Sequence, residues 1–304
     1  MYDVIIVGGG PAGLAAAVYA ARKQLKALLL SQNIGGQVNR SAGVENYLGY
    51  QFIEGAVLVS KFENQVSQYP IDQQIGANVS SIRRIDGGFE VVLQDGATHS
   101  ARTVVFASGK RPRELGVPGE SEFAGRGVSY CAICDGPLFA GHRVAVVGGG
   151  NSALEAALDM VEIADHVDVI ALAGLTGDQI LVNKLKQAKN LNLYVGYRVE
   201  KIQGAQLVDS VVVKNLHNGD TIRLPVSGVF VEIGLIPNSE PLKDLLELNE
   251  SGEVPVNCSA ETSVPGLFAA GDVSDVPEKQ IVIAAGEGAK AMLRAHRYLR
   301  RLEE

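Results

Sequence analysis

The chain has 304 residues, enough for two domains of ordinary size, and its 46% hydrophobic and 20% charged content fits a soluble globular protein with a full core. A net charge of −7 disfavours nucleic acid, whose affinity rests on Lys and Arg neutralising phosphates. The longest apolar runs are far short of a membrane span, and the 35 glycines cluster in motifs without a fixed period, which excludes collagen-like and low-complexity readings.

The chain opens on YDVIIV, GGGPAG and LAAAVYAAR, which predict a buried strand, a glycine turn and a helix. LKALLL (25–30) reads as a second parallel strand. EGAVLVSKFENQVSQY (54–69) predicts an amphipathic helix, with Leu58, Phe62, Val66 and Tyr69 on one face. Turn signals at Asp86-Gly87-Gly88 and Asp95-Gly96 mark a β-meander, which returns through TVVFASG (103–109). Residues 144–160 then repeat the opening plan as VAVV, GGGNSA and LEAALDM. A second parallel strand (VDVIAL, 167–172), a hairpin turn at Asn218-Gly219 and a closing strand (GVFVEIG, 228–234) follow. Beyond residue 242 only one strand, in LFAAGD (267–272), and one long helix to the chain end are predicted.

The internal near-repeat predicts an α/β protein with two Rossmann-type dinucleotide-binding domains, each a three-layer ββα unit. One strand and one helix do not make a third domain. The chain is therefore expected to return and complete the first, making residues 1–113 with 243–304 one discontinuous domain and 114–242 the other. Pro- and Gly-bearing linkers (RPRELGVPG, IPNSEP) stand near both boundaries.

Gly8, Gly10 and Gly13 stand where the first strand turns into its helix, and Gly148, Gly150 and Ala153 repeat the pattern. Such a turn lets the backbone approach a pyrophosphate at a helix N-terminus. Two such units imply two dinucleotides, typically a flavin and a nicotinamide. The fingerprint also asks for an acid at the end of the second strand, for the ribose hydroxyls. The first unit ends Leu30-Ser31-Gln32 instead, and the second ends Ala171-Leu172-Ala173-Gly174.

SYCAICDGPLF (129–139) holds two of the three cysteines. Cys131 and Cys134 are open to three readings. A zinc site needs four protein ligands, or three plus water, and His142 and the distant Cys258 are a poor complement, so no metal is expected. An inert disulfide over so short a loop stabilises little. A redox pair accounts for more: a CxxC thiol can have a depressed pKa, and Asp135, directly after it, can carry protons to and from sulfur. Asp135 also suits the turn in Asp-Gly-Pro. Cys258 reads as an ordinary packed cysteine. No secretion signal is read at the start of the sequence, and a cytoplasmic location is expected.

YCAICDG between two Rossmann units, GGQ (35–37), ENY (45–47), ASG (107–109), GGGNSA (148–153), and AAGDV (269–273) followed by KQIVIAAGEGAKA resemble the low-molecular-weight thioredoxin reductase family over essentially the whole chain. The likeness is especially close to the C-terminal part of the flavoprotein that feeds alkyl hydroperoxide peroxidases. The resemblance implies a homodimer with FAD in the first unit. Gly8, Gly10, Pro11, Ala12 and Gly13 would seat the pyrophosphate. Ser31, Gln32 and Val79 would lie toward the adenosine end. Gly36, Gln37 and Asn46 would run along the flavin and ribityl side, with Ala107, Ser108 and Gly109 in the same site. Gly271 and Asp272 would meet a ribityl hydroxyl, and Lys279, Gln280 and Ile281 would stand near the isoalloxazine. Cys134 would face the flavin, Cys131 would attack a thioredoxin or thioredoxin-like protein, and Asp135 would be the acid. Gly148, Gly150, Asn151, Ser152 and Ala153 would seat NAD(P)H.

One departure bears on the donor. NADPH-using members end the second unit's strand with a His-Arg-Arg stretch and a further Arg. Those positions match Ala171, Leu172, Ala173 and Gly177 here. NADH-using relatives tend to carry Glu where Ala171 stands. The pattern resembles relatives that take electrons from ferredoxin, for which Lys110, Arg111 and Arg113 form a basic cluster. NADPH, NADH and ferredoxin all remain open as donors. Relatives that oxidise small-molecule dithiols with oxygen also lack the nucleotide grip, but carry His after the second cysteine, so Asp135 favours the reductase.

Overall fold

The computed structural model describes residues 1–41 and 43–304. In the first unit, β1 (Tyr2–Gly9), β2 (Ala27–Ile34), β3 (Asp72–Ile75), β4 (Val79–Ile85), β5 (Gly88–Leu93) and β6 (Thr98–Phe106) form one sheet in the order β3-β2-β1-β6-β5-β4. The strands β1, β2, β3 and β6 are mutually parallel, and β4-β5-β6 run as the antiparallel meander that the Gly turns predict. Between them lie α1 (Pro11–Arg22) and α2 (Gly55–Val66). The second strand reaches Ile34, four residues beyond the predicted end, because its edge continues past the apolar run. The α2 helix stops at Val66, and Tyr69 packs on the core from the loop that follows.

Two short strands lead out of and back into this unit. They are β7 (Lys110–Pro112) and, far along the chain, β16 (Leu235–Pro237), which pair with each other antiparallel. Between them comes the second sheet: β8 (Val128–Ser129), β9 (Arg143–Val147), β10 (His166–Ala171), β11 (Leu191–Val195) and β15 (Gly228–Val231), all parallel, in the order β11-β10-β9-β15-β8. The antiparallel strands β12 (Tyr197–Gly204), β13 (Val208–Asn215) and β14 (Thr221–Pro225) form a separate meander. The helices here are α3 (Ala132–Asp135), α4 (Asn151–Ile163) and α5 (Gln179–Gln187). The chain then adds β17 (Leu267–Ala269) and α6 (Ile281–Arg301).

Strand alternation explains the layers. In the second sheet Ala145, Val147, Ile170 and Val229 face the meander, against Val199, Val211 and Val213. Their neighbours Val144, Val146, Val169 and Phe230 face the helices, against Leu154, Met160 and Leu185. A period of two thus gives this parallel sheet two buried faces, the ββα sandwich. Within it Asp168 is fully buried and held by Arg143 at 2.8 and 3.0 Å.

The end of the chain rejoins the first sheet. The C-terminal half of β6 pairs with β17 in parallel register, Leu267 beside Val104, while its N-terminal half pairs with β5. Helix α6 lies along α1 and fills the core with Ala291, Met292 and Ala295. A Cβ on Gly288 would stand 1.9 Å from the Ala12 carbonyl oxygen, so the two helices touch backbone to backbone at that point. Gly288→Ala should separate them and destabilise the fold by about 1–3 kcal/mol. Thermal unfolding would read this as a lowered Tm against wild type.

Candidate functional site

At the first glycine turn the backbones pass too closely for side chains. Gly8 has φ +114°, and a Cβ on it would sit 2.1 Å from the Ala107 carbonyl oxygen. A Cβ on Gly13 would sit 1.8 Å from the Gly8 oxygen. Gly10 differs, because a Cβ there would meet nothing within 4 Å and would project into open space. Gly10 also caps α1, Pro11 opens the helix, and no acidic side chain stands in its first turn. The positive end of the helix therefore faces an open cradle.

That cradle is one wall of a cleft of about 860 Å³. Gly8, Gly10, Pro11 and Ala12 line it at the start of α1, with Ser31 and Gln32 of β2 and Val79 at the start of β4. Gly36, Gln37 and Asn46 line one side, and Ala107, Ser108 and Gly109 line the other. Gly271, Asp272, Lys279, Gln280 and Ile281 close it from the returning segment. Gln37 Nε2 donates to Asp272 Oδ2 at 3.2 Å, and Asn46 Nδ2 donates to Gln280 Oε1 at 3.1 Å, joining residues more than 200 apart in sequence. Burial pushes the Asp272 carboxyl above its usual range, and Lys279 and Lys110 oppose that shift. Gly13 lies beneath the cradle and serves packing. A pyrophosphate-linked dinucleotide fits this arrangement: the cleft has adequate volume, a helix N-terminus with open backbone, and polar side chains spaced along it.

The far end of the same cleft is lined by Cys131, Cys134 and Asp135. The two cysteines form a disulfide. Cys131 caps α3, and its Sγ accepts from the Cys134 N–H at 3.2 Å. Ser129 Oγ accepts from the Cys131 N–H at 3.1 Å and donates to Asp135 Oδ2 at 2.6 Å. Asp135 Oδ1 is buried without a hydrogen-bond partner. Burial raises the Asp135 pKa, and the Ser129 hydroxyl only partly counters it. A carboxyl in this setting favours its protonated form.

The second glycine turn is elsewhere, at the end of β9. Gly148 (φ +148°) passes the Glu232 carbonyl, 2.3 Å from a would-be Cβ, and Ala153 is buried in the helix behind it. Gly150 is open, like Gly10. The segment after β10 folds over the rest of this turn. Thr176 N–H donates to the Gly149 carbonyl at 2.7 Å, and Asp178 N–H donates to Asn151 Oδ1 at 2.7 Å. Ser152 is exposed in the first turn of α4. Residues 172–178 contain no Lys or Arg. The five nucleotide candidates of the second unit are thus together, but apart from the cleft.

Two expectations need correction. Lys110, Arg111 and Arg113 do not form a free basic cluster. Lys110 is nearly buried and paired with Glu253 at 2.5 Å, and Arg111 pairs with Glu240 at 2.9 Å and bonds Asn238. Cys258 is exposed, not packed, because it sits in a surface turn after Asn257. The sequence reading also missed Glu232. It follows β15, and its Oε1 accepts from the Ala132 N–H at 3.2 Å. Burial lifts its pKa to about 7. A carboxyl in the apolar strand GVFVEIG was the available signal. Arg40 was missed too: its guanidinium lies over the Tyr130 ring, 5.7 Å from the centroid, and 3.6 Å from Glu114.

Among the described residues no group of His, Cys, Asp and Glu could hold a metal ion, and no helix is long and apolar enough to cross a membrane.

Comparison with known proteins agrees with this geometry. The pyridine nucleotide-disulphide oxidoreductase family matches residues 2–288. The chain is 41% identical over 299 residues to the F component of alkyl hydroperoxide reductase from Staphylococcus aureus, covering 98% of this chain and 59% of that protein. It thus spans about three fifths of the length of such curated relatives. A thioredoxin reductase from Streptococcus pyogenes superposes with a TM-score of 0.94 at 36% identity, over 99% of both chains. The Lactococcus lactis thioredoxin reductase in its FR conformation gives 0.68 at 33% identity, over 99% of this chain and 100% of that one. Family membership implies a flavin cofactor. With two Rossmann-type units, a long cleft and a disulfide in its wall, the chain belongs to the pyridine nucleotide-disulphide oxidoreductase family and has the fold of its thioredoxin reductases.

Proposed function

We propose that the chain is an FAD-dependent disulfide reductase that passes electrons through the Cys131–Cys134 pair to thioredoxin or a thioredoxin-like protein. The observation that carries this reading is that the disulfide and the first glycine turn line one cleft. When bound there, FAD would supply a pair of electrons to the disulfide. The turn from Gly8 to Gly13 would hold its pyrophosphate, and Gln37, Asn46, Asp272 and Gln280 would orient the rest.

Reduction breaks one S–S bond and takes two electrons and two protons. Asp135 would hold one proton beside the sulfurs and release it to the leaving thiolate, as its burial and unpartnered Oδ1 favour. Cys131 would then attack the disulfide of the partner, with Cys134 resolving the mixed disulfide. For the pair to meet the flavin and a protein disulfide in turn, the domain 114–242 would turn on its linkers against 1–113 and 243–304. The lower superposition on the FR-conformation relative, at full coverage, is consistent with two such arrangements in this fold. Dimerisation and a cytoplasmic location belong to the same reading.

The donor is one that needs no clamp on a 2′-phosphate: NADH or a reduced ferredoxin. The segment 172–178, without Lys or Arg, supports this, since a phosphate without cationic partners loses charge-assisted bonds. Of the three basic residues considered for ferredoxin, Lys110 and Arg111 are paired and Arg113 is exposed, so both donors stay in the proposal.

Anaerobic dithionite titration of the flavin-loaded protein tests the core of the proposal. Wild type should take up about two electron pairs per flavin, and Cys131→Ser with Cys134→Ser about one. Equal uptake in both would end it. Stopped-flow bleaching should be faster with NADH than with NADPH by about tenfold or more, the worth of one to two lost phosphate bonds. Efficient bleaching by NADPH would overturn the donor assignment, and bleaching by photoreduced ferredoxin alone would replace NADH with ferredoxin. Asp135→Asn should keep the flavin and slow reduction of the partner by roughly 10²–10⁴-fold.

A further inference from the structure

Glu232 reaches the disulfide helix from a separate strand, whereas Asp135 belongs to that helix. It follows β15, the central neighbour of β8 and β9, and its own N–H donates to the Val147 carbonyl at 2.8 Å. This bond and the close pass of its carbonyl by Gly148 fix its backbone. Its side chain turns to the start of α3, where Oε1 accepts from the Ala132 N–H at 3.2 Å. Ala132 directly follows Cys131, and its N–H is an otherwise free donor at the beginning of that helix.

A thiolate on Cys131 and a carboxylate on Glu232 would therefore be two anions at one helix start. The carboxylate accepts from the Ala132 N–H and the sulfur from the Cys134 N–H, within one turn, so each charge would oppose ionisation of the other. One cation approaches this site: the Arg40 guanidinium lies over the Tyr130 ring, next to Cys131, and is itself paired with Glu114 at 3.6 Å. On α3 the other titratable group is Asp135, whose carboxyl turns to Ser129. The β8 strand brings Ser129, and Tyr130 beyond it is bonded to Glu120. The β9 end and the turn Val147–Ser152 carry no charge. Arg113 packs at Gly234, two residues on.

We propose that Glu232 is a second carboxyl of the dithiol site, a positioning residue that acts through the Ala132 N–H to set how readily Cys131 carries negative charge. The inference rests on the reading of Cys131 as the attacking sulfur. The Glu232 carboxyl titrates at about 7 in the disulfide form, against an ordinary 4.5, because burial disfavours the anion. Below that pH a neutral Glu232 leaves the thiolate unopposed. As pH rises through it, the new carboxylate pushes the thiol pKa upward. The thiolate fraction then grows more slowly with pH than a lone cysteine's would.

The test is the pH dependence of Cys131 alkylation by iodoacetamide, followed residue by residue by peptide mass spectrometry, because exposed Cys258 also reacts. Flavin-loaded Cys134→Ser protein, which leaves Cys131 unpaired, is compared with the same protein carrying Glu232→Gln. The amide oxygen of Gln can still accept from Ala132, so the geometry is kept while the charge is lost. The profile with Glu232 should show two steps, one near neutrality. Glu232→Gln should show one step, at lower pH, with alkylation near pH 7.5 faster by about threefold to tenfold. Superimposable profiles would overturn the proposal. A third protein with Glu232→Ala guards against a purely structural effect: if Ala alters the profile and Gln does not, the residue only holds the helix, and the proposal fails. If wild-type Cys131 and Cys134 take no electrons in the dithionite titration, the reductase reading fails independently of this result.

Discussion

The carbonyl oxygen of Gly8 lies 1.8 Å from where a Cβ on Gly13 would stand, and that of Ala107 lies 2.1 Å from one on Gly8. This bare backbone contact lets α1 start directly at the end of β1, beside the end of β6. Every wall of the cleft is referred to it. The turn after β2 comes in beside it, the Ala107–Gly109 segment leaves from it, and α6 is seated on α1 through Gly288. Any side chain at these points would move the helix start away from the strand ends, and the cradle would open out of shape.

Much of this was legible in the sequence because it is local. Apolar strand runs, glycine turns and the CxxC each occupy one short run of residues, and the near-repeat of the opening plan announced the second sheet. The return of β17 and α6 to the first sheet could be argued from economy alone, since one strand and one helix cannot bury both their faces. The polar wiring of the site was not legible for the opposite reason. Glu232 acts on Ala132, 100 residues away, and Lys110 on Glu253, 143 away. Until the fold brings such residues together, a lysine in a linker reads as a solvated charge. The same limit applies to Cys258: a general tendency of free cysteines toward burial says nothing about one particular turn.

The two halves of the chain solve the same backbone problem differently. At the first turn Gly10 faces a cleft large enough for a dinucleotide. At the second, the segment that follows β10 lies over Gly149 and Asn151 and satisfies their polar groups internally. Repetition of a motif therefore does not mean repetition of its surroundings. The helix start is preserved in both units because it joins strand to helix, whatever it also binds.

The pairing of Lys110–Pro112 with Leu235–Pro237 has a mechanical consequence. The two crossings between the sheets are zipped into one ribbon, reinforced by Ser108 and Asn238 exchanging bonds at 2.8 and 2.9 Å and by Arg111 on Glu240. A single tether would let the outer unit swing in any direction. A two-stranded ribbon is stiff to bending in its own plane and yields most easily to torsion along its length. In the rotation proposed above, twisting along this ribbon would be the motion it resists least, and it would carry the outer unit along one arc.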